Sequence, residues 1–461
     1  MVADPLRELA ARQGPRRAIF DRSAGFWVSW FDLDGVAHAW ARRLESSGVR
    51  PGERVAVVEP AGVRFAALLH GCLRVGAALV PLSPRAPEGD VQRVLEDSRP
   101  RLLIRDGELK PLPAPEAGPE GDACVIYTSG TTGEPKGVRL TFANHVASAR
   151  GCAQLLDTTE RDRWLLVLPP HHVGGFAVFM RSVISGQPMV TLNRFEEQPV
   201  LEALEADRPS LVSLVPTMLV RLLAAGGLEQ LRKPRAILLG GAPVTAAQLV
   251  EWAELGINVC PSYGLTESCS QVAVVPPGRA LELAGTSGVV GPQADVEILD
   301  EDGPLPHPLP VGGDKNGEIV VSGAAVSPGY VNPGLRPAPA GGRFATGDLG
   351  GLQGGVLTVL GRRDDTIITG GEKVRPEEVE AVLQACPGVK DAAVAGRPDA
   401  TWGQIVAAWV VADGAREGEL DSWCRARLPS HEVPRRWHFV SSLPRNEGGK
   451  LLRRHLDGGE H

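Results

Sequence analysis

The segment at residues 128–137, with the sequence TSGTTGEPKG, combines glycines, hydroxyl side chains and one lysine at a spacing that suits phosphate. Glycines let the backbone turn tightly and approach an anion closely. Hydroxyl groups and exposed N–H groups donate hydrogen bonds to phosphate oxygens, and a lysine adds positive charge. We therefore predict a phosphate-binding loop, the alternative being an ordinary flexible surface loop. The residues of this predicted loop are Thr128, Ser129, Gly130, Thr131, Thr132, Gly133 and Lys136.

The segments that flank this loop favour the phosphate-binding interpretation. An apolar run at Val125–Thr128 predicts a buried strand that leads into the loop, and Phe142–Leu155 is predicted to be the helix that follows it. The spacing differs from G-x-x-x-x-G-K-[ST], so the loop is not a Walker A loop.

The chain beyond the loop alternates between apolar runs and segments of helix length. Val55–Val58 predicts a strand, and Val63–Val75 then places apolar residues at helical spacing. This alternation, repeated to Cys260, predicts an α/β fold with sheets of parallel strands covered by helices. After residue 285 the runs shorten and are separated by Gly and Pro, which predicts a smaller β-rich subdomain over about 285–360.

A compact α+β unit is predicted to follow Arg362, beginning with a helix at Pro376–Ala385. We place the domain boundary at Asp364. The predicted organisation is a large N-terminal domain of residues 1–363 and a small C-terminal domain of residues 364–461.

Composition and charge exclude several classes of function. The 48 Lys and Arg residues against 55 Asp and Glu give a net charge of −7, which argues against a nucleic-acid partner because such a surface is basic. No apolar run reaches the roughly 18 residues of a membrane span. Met1–Ala11 carries acidic residues and no apolar stretch, so we expect no signal peptide. The 7 cysteines are scattered without a C-x-x-C pair, which predicts reduced thiols in a cytoplasmic protein.

Lysine is scarce, with 7 residues among the 48 basic ones. In an arginine-rich chain, lysine tends to persist where a compact point charge is required, because arginine is a planar fork. Lys136 and Lys450 are therefore candidate functional cations.

Arg181 is the charged residue of an otherwise apolar helical segment, FMRSVI at residues 179–184. A cation on an apolar face is costly unless an anion pairs with it. That anion is either a carboxylate of the protein or a carboxylate of a bound substrate, and the sequence leaves both open.

Five segments, in order along the chain, resemble motifs of the adenylate-forming superfamily, which includes acyl-CoA synthetases, luciferases and the adenylation domains of peptide synthetases. The first is the loop at 128–137, and the others are SYGLTE at 262–267, TGDL at 346–349, GRRDD at 361–365 and PRNEGGK at 444–450. They span nearly the whole chain, which is thus identified as a member of the superfamily. The resemblance implies a reaction in which ATP and a carboxylic acid form an acyl-adenylate, whose AMP a thiol then displaces.

The resemblance also implies a nucleotide site. The loop at 128–137 would close on the β- and γ-phosphates, Tyr263 would stack on adenine, and Glu267 would bind Mg²⁺. Asp348 would accept the ribose hydroxyls, and Arg362 would contact ribose and phosphate. The remaining residues implied to bind ATP are Gly240, Gly241, Ala242 and Pro243 beside the base, with Ser262, Gly264 and Thr266.

Catalysis and the second step are implied in the same way. Lys450 resembles the catalytic lysine that bridges the carboxylate and the α-phosphate, and His172 resembles the aromatic residue beside the acyl carboxylate. Asp364 resembles the hinge about which the small domain rotates between the two steps. Gly370 and Gly371 would then line a narrow tunnel for the pantetheine arm of coenzyme A.

Three further segments resemble the o-succinylbenzoate–CoA ligase branch, which serves menaquinone biosynthesis. They are the run from His172 to Gly186, VPTMLVRLL at 215–223 and LLGGAP at 238–243. The substrate implied is a dicarboxylate, whose benzoate carboxylate Arg181 would bind. A generic aryl or medium-chain acyl-CoA synthetase and a stand-alone enzyme that loads a carrier protein stay open, as does the oligomeric state. A nucleotide-binding protein without catalysis is disfavoured, since Glu267, Asp348 and Lys450 are all present.

Overall fold

The computed structural model describes residues 4–129, 135–300, 316–332, 342–445, 449 and 451–456. Within these residues, no helix is long and apolar enough to cross a membrane. The helices are α1 Pro5–Gln13, α2 Trp30–Ser46, α3 Val63–Val75, α4 Glu88–Ser98, α5 Phe142–Leu155, α6 Val173–Ser185, α7 Glu197–Ala206, α8 Pro216–Ala224, α9 Leu228–Leu231, α10 Ala246–Glu254, α11 Pro376–Gln384 and α12 Glu417–Arg425.

The strands of the described residues form three sheets. They are β1 Arg17–Asp21, β2 Phe26–Ser29, β3 Arg54–Val58, β4 Ala78–Pro81, β5 Leu102–Arg105, β6 Glu108–Pro111, β7 Asp122–Ser129, β8 Pro135–Thr141, β9 Trp164–Leu166, β10 Met189–Thr191, β11 Leu211–Leu214, β12 Ala236–Leu239, β13 Val259–Leu265, β14 Ser270–Val274, β15 Gly288–Val290, β16 Asp295–Asp300, β17 Asn316–Ser322, β18 Gly329–Tyr330, β19 Arg343–Gln353, β20 Val356–Arg362, β21 Ile367–Thr369, β22 Glu372–Val374, β23 Val389–Asp399, β24 Gly403–Ala412 and β25 Arg436–Phe439.

Two large sheets enclose the main core. Thirteen strands pair in the order β16-β17-β19-β20-β15-β14-β13-β12-β11-β9-β10-β1-β2, and seven in the order β18-β8-β7-β4-β3-β5-β6. The largest buried apolar cluster draws residues from both sheets and from the helices that cover them. Within it, the rings of Phe65 on α3 and Phe179 on α6 lie 4.9 Å apart. This ring contact packs α6 against α3 within the core.

Local sequence signals explain where the central helices begin and end. Thr141 caps α5 reciprocally, since its hydroxyl accepts the N–H of Asn144 at 3.1 Å and the Asn144 side chain accepts the N–H of Thr141 at 2.9 Å. Helix α6 ends at Gly186, whose φ of 67° is left-handed and therefore favours glycine. The predicted bounds of α3 and α5 are met at both ends.

The predicted α/β fold class, with a smaller C-terminal α+β unit, is confirmed. Helix α5 follows the phosphate loop with the predicted bounds, but an unpredicted strand, β8, lies between them and pairs antiparallel with β7, with Thr128 opposite Lys136. The sheets are also mixed rather than parallel. Strands β14 to β17, β19 and β20 extend the thirteen-stranded sheet with antiparallel pairs, and their side chains contribute to a separate small buried cluster.

A five-stranded sheet of β21 to β25 with α11 and α12 forms the C-terminal unit. At its edge Arg453 contacts three carboxylates, with N–O distances of 3.5 Å to Asp365, 3.1 Å to Glu377 and 2.7 Å to Glu380. Burial, together with the charges of Glu380 and Asp365, raises the pKa of Glu377 to about 7 against the opposing charge of Arg453. The single positive charge of Arg453 thus lies next to three carboxyl groups.

Glu377→Gln is expected to stabilise the C-terminal unit at alkaline pH. A folded pKa above the ordinary value means that the neutral form favours folding, so this contribution is complete in acid and is lost as the pH rises through about 7. The neutral glutamine should therefore raise the melting temperature at pH 8 by about 2–5 °C and change it little at pH 4.

Glu372→Gln, at an exposed glutamate of the same unit, is the matched control. Thermal melts from pH 4 to 9 measure both variants against the parent. An unchanged difference between Glu377→Gln and the parent across this range would contradict the expected linkage.

Candidate active site

Tyr263, Asp348 and Arg362, predicted from separate motifs, come together in the structure. The Tyr263 hydroxyl donates to Asp348 Oδ2 at 2.7 Å, and Arg362 Nε lies 3.4 Å from Asp348 Oδ1. Asp348 and Arg362 are opposite each other on β19 and β20. Burial and the Asp348 charge raise the pKa of Tyr263 well above its ordinary value, so its hydroxyl stays a donor.

The backbone around Asp348 is fixed by two further contacts. The Asp348 N–H donates to Thr346 Oγ1 at 3.0 Å, and the Gly347 N–H donates to Glu318 Oε1 at 3.1 Å. Glu318 was not predicted from the sequence. Its other oxygen pairs with Arg363 at 2.7 Å, so it joins the Asp348 turn to the chain that leaves β20.

The residues predicted to lie beside the base form two neighbouring strand ends. Parallel pairing of β12 and β13 brings the segment Gly240, Gly241, Ala242 and Pro243 next to Ser262. The Ser262 hydroxyl donates to the Leu239 carbonyl at 2.8 Å. At Gly264, a Cβ would lie 1.9 Å from the Ser270 carbonyl oxygen, so β13 and β14 approach too closely for any other residue.

Glu267 lies in a short 3-10 turn, Thr266–Ser268, directly after β13. Its Oε1 accepts the Tyr330 hydroxyl at 2.8 Å, and its backbone carbonyl accepts the Ser327 N–H at 2.7 Å. Tyr330 is a site residue that sequence reasoning missed, although tyrosine occurs only 3 times in the chain.

Glu267 has the chemistry for Mg²⁺, with a hard carboxylate oxygen on a fixed turn. Among the residues with assigned positions, no group of three or more His, Cys, Asp or Glu could hold a metal. A single carboxylate fits Mg²⁺, which is commonly held by one or two carboxylates together with waters and substrate phosphates.

The phosphate loop is described at its two ends. Thr128 and Ser129 end β7, and Lys136 is the second residue of β8, opposite Thr128, with its side chain buried. The predicted residues Gly130, Thr131, Thr132 and Gly133 lie outside the described residues. The described ends of the loop, Ser129 and Pro135, pair with each other across β7 and β8.

His172 directly precedes α6, and its ring lies 4.6 Å from the ring of His171. The backbone here turns sharply, since a Cβ at Gly175 would lie 2.2 Å from the Pro169 carbonyl oxygen. The turn therefore fixes where α6 begins and where His172 lies.

Arg181 is buried at 2 % exposure inside α6, without a carboxylate partner in the described part of the chain. Its Nη2 donates to Ser270 Oγ at 3.0 Å and to Gln271 Oε1, and its guanidinium lies 5.5 Å from the Trp164 ring centroid. Nε and Nη1 have no hydrogen-bond partner there. Among these residues, Arg181 therefore forms no salt bridge with a carboxylate, and neutral groups accept hydrogen bonds from only part of its guanidinium.

Three titratable groups that lie near Arg181 among the described residues carry no negative charge. Burial and the nearby Arg181 lower the pKa of His145 to about 3, so this imidazole is neutral. Burial raises the pKa of Cys152, and it raises that of Cys269 to about 12, so both thiols stay protonated. The guanidinium is a buried cation with donors to spare.

The predicted hinge residue Asp364 is exposed in a short turn, Arg363–Asp365, between β20 and β21. Arg363 on one side binds Glu318 of β17, and Asp365 on the other binds Arg453. The turn is therefore tied to the large sheet on one side and to the C-terminal unit on the other.

Gly370 and Gly371 form the turn between β21 and β22, where Gly370 packs against Trp402 rather than against α6. Lys450 lies outside the described residues. Its neighbour Gly449 touches the large unit at the start of α8, because a Cβ there would lie 2.6 Å from Thr217 Oγ1.

Comparisons with known families and proteins agree with this geometry. The family described as AMP-binding enzyme matches residues 6–122 and 105–331, and the AMP-binding enzyme C-terminal domain matches residues 378–450. The 2-succinylbenzoate–CoA ligase of Geobacillus kaustophilus is 39% identical over an alignment of 457 residues, which covers 92% of this chain and 91% of the relative. The Bacillus subtilis ligase is 35% identical over 460 residues, at 93% and 92% coverage.

Solved structures give the same result. The o-succinylbenzoate CoA synthetase of Bacillus subtilis in complex with its acyl-adenylate intermediate matches with a TM-score of 0.86 at 33% identity, covering 99% of this chain and 98% of that one. The same synthetase with ATP and a magnesium ion also gives 0.86 at 33% identity, with 98% and 99% coverage. The chain belongs to the AMP-binding enzyme family, among its 2-succinylbenzoate–CoA ligases.

Proposed function

We propose that this protein ligates 2-succinylbenzoate to coenzyme A at the expense of ATP. A carboxylate oxygen of the acid attacks the α-phosphorus, and pyrophosphate leaves. The thiol sulfur of coenzyme A then attacks the acyl carbonyl, AMP leaves, and the thiol proton is released. The observation that carries the choice of acid is Arg181, a buried cation with unused donors and no acidic partner among the described residues.

The nucleotide would lie across the ends of β13, β19 and β20. Asp348 would accept the two ribose hydroxyls, and Tyr263 would present its ring to adenine while its hydroxyl holds the carboxylate. Arg362 is aligned by the same carboxylate and would contact ribose and phosphate. Lys136, at the base of the hairpin, would lie beside the phosphates. Such preorganised donors and cations stabilise the charge that develops on the transferring phosphorus.

Glu267 would hold Mg²⁺, which supplies charge neutralisation for the polyphosphate. The Tyr330 hydroxyl orients the carboxylate of Glu267 through one of its oxygens. This bond fixes the ligand before the nucleotide arrives, and fixed ligands avoid reorganisation during the reaction.

The acyl pocket would extend along α6, from His172 beside the activated carboxylate to Arg181. The two residues are nine positions apart, about 13 Å along a helix. An acid with a second carboxylate at its far end would give Arg181 the charged partner that the described protein residues do not supply. Desolvated charge pairs of this kind discriminate strongly between substrates.

The two steps would use two orientations of the C-terminal domain, residues 364–461, about the turn that holds Asp364. Lys450 would serve the first step, and the turn at Gly370 and Gly371 would serve the second. A cytoplasmic site of action is supported by 7 cysteines that are all buried and free of disulfide bonds.

The direct test is product analysis with 2-succinylbenzoate, ATP and coenzyme A. We expect the acyl-CoA, AMP and pyrophosphate in equal amounts. Turnover of benzoate or medium-chain acids at a similar kcat/KM would instead indicate a generic synthetase, and transfer to a phosphopantetheinylated carrier protein in preference to coenzyme A would indicate a loading enzyme.

Asp348→Asn should raise the KM for ATP by about 10–100-fold, because a charge-assisted hydrogen bond is worth about 1.5–3 kcal/mol. The KM for the acid should change by less than about 3-fold. Glu297→Gln is the control, since it removes a carboxylate from an exposed ion pair of the same sheet. Steady-state kinetics measure the KM for ATP and the KM for the acid, and an unchanged KM for ATP would remove Asp348 from the nucleotide site.

Lys450→Ala should reduce adenylate formation by about 100-fold or more, the effect of losing a charge that acts in the transition state. Thioester formation from pre-made acyl-adenylate should be largely retained. Lys390→Ala, at an exposed lysine of the same unit paired with Asp413, should leave both steps unchanged. Equal losses in both half-reactions of Lys450→Ala would refute the two-orientation proposal.

Arg181→Ala should cost about 2–5 kcal/mol in kcat/KM for 2-succinylbenzoate, because its aromatic carboxylate would be left unpaired in a desolvated pocket. An analogue without that carboxylate should be a poor substrate of the parent and should lose little more with the variant. Arg181→Lys should restore activity only in part, since lysine lacks the planar fork.

Arg54→Ala removes another buried arginine, one that donates to the Ser98 carbonyl far from α6, and controls for general destabilisation. It should affect both acids alike. If Arg181→Ala also affects both acids alike, the dicarboxylate proposal fails.

A further inference from the structure

The two ends of the segment that contains Lys450 are joined by backbone contacts. Arg445 and Leu451 face each other in an antiparallel bridge, and the Leu452 N–H donates to the Pro444 carbonyl at 2.9 Å. Residues 444–445 and 451–452, on either side of Lys450, are thus held together. Lys450 is covalently bonded between two described residues, Gly449 and Leu451.

The Arg445 side chain adds a second attachment. Its Nη1 donates to the Gly449 carbonyl at 2.9 Å, and its Nη2 lies 3.0 and 2.8 Å from the two carboxylate oxygens of Asp391. Asp391 is itself fixed, because its Oδ1 accepts the N–H of Ala392 in β23 at 3.0 Å. A guanidinium therefore connects the residue before Lys450 to the edge of a sheet.

Gly449 also contacts the opposite unit. A Cβ at this position would lie 2.6 Å from Thr217 Oγ1 and 3.4 Å from Val215 Cγ2, both at the start of α8. The Gly449 backbone is left-handed, with φ of 75°. Its carbonyl is thus held by Arg445 while its Cα rests against the large unit.

We propose that Arg445, anchored by Asp391, is a positioning residue for adenylate formation. The Arg445 side chain holds the Gly449 carbonyl and the Arg445 backbone pairs with Leu451, so both covalent neighbours of Lys450 are held when the C-terminal unit lies against α8. This inference rests on the proposed function, in which Lys450 acts in the first step.

The pair contributes little to folding and much to placement. Both side chains are about a quarter exposed, at 26% and 29%, and ion pairs at such positions add little stability. A displacement of about 1 Å at a reacting group can nevertheless slow a step by as much as 100-fold. The fork geometry also explains arginine here, since lysine has no second nitrogen for the Gly449 carbonyl.

The test measures the two half-reactions separately in Asp391→Asn, Arg445→Gln and Arg445→Lys. We expect kcat for adenylate formation to fall about 10-fold or more in the first two variants, within the range for a misplaced group. KM for ATP and for the acid should stay within about 3-fold, because binding groups are intact. Thioester formation from pre-made acyl-adenylate should stay within about 2-fold, and Arg445→Lys should be intermediate.

Asp421→Asn breaks a comparable ion pair, with Arg425 at 2.6 Å on α12, and should leave all of these values unchanged. The double variant Asp391→Asn, Arg445→Gln should be no slower than the worse single variant, as expected of residues that act as one unit. Equal losses in both half-reactions, or a lowered melting temperature with an unchanged kcat for adenylate formation, would overturn the inference.

The parent protein separates this failure from failure of the proposed function. If the parent forms no acyl-adenylate from 2-succinylbenzoate, the proposed function is wrong. If the parent forms it and the Arg445 and Asp391 variants match the parent, the positioning role is wrong and the function stands.

Discussion

The pairing of Asp348 with Arg362 is the interaction on which the arrangement of the site depends. It links two antiparallel strands at their last paired residues, where β20 ends and the chain turns toward the C-terminal unit. Tyr263 adds the third strand through its hydroxyl. The proposed nucleotide site therefore lies at the same strand end as the connection between the units, two residues before Asp364. A nucleotide that engages Asp348 would act on the strand that leads to the pivot.

Arg181, in contrast to Asp348 and Arg362, carries a buried charge that the described residues pair only in part. A buried cation without a carboxylate is costly, and Trp164, Ser270 and Gln271 compensate for this cost in part through a ring face and neutral acceptors. Filling the position with an apolar residue would stabilise the helix packing more. Retaining the arginine makes sense where a ligand supplies the missing charge, because strained or unsatisfied groups persist at functional sites.

Secondary structure could be predicted from the sequence where neighbouring residues alone determine it. The apolar period of Val63–Val75 and the cap at Thr141 fixed two helices to the residue. Strand β8 was missed because PKGVRLT is short and follows a glycine-rich loop, and only pairing with β7 defines it as a strand.

Contacts over long separations were likewise invisible in the sequence. Tyr330 and Glu267 are 63 positions apart and belong to no shared motif. Glu318 supports the Asp348 turn from another strand, and Arg445 finds Asp391 at a separation of 54. Residues that bind a ligand stood in motifs, whereas residues that position them came from tertiary pairing that no single segment records.

Charged side chains on both sides of Asp364 connect this turn to the two units. Arg363 pairs with Glu318 of the large sheet, whereas Asp365 pairs with Arg453, which follows Lys450 by three positions. Asp364, the proposed hinge, thus lies between a contact to each unit. On the same face, a Cβ at Gly361 would lie 2.4 Å from Glu377 Oε2, so this oxygen packs against the end of the large sheet. Because Oε2 is buried without a hydrogen-bond partner among the described residues, the contact is comfortable only for a neutral carboxyl group. Rotation about Asp364 would relieve this contact while leaving Arg453 with Glu380, its partner within the unit. Among the described residues, the contacts between the units thus include Gly361 with Glu377 and Gly449 with Thr217, and the proposed rotation would have to break both.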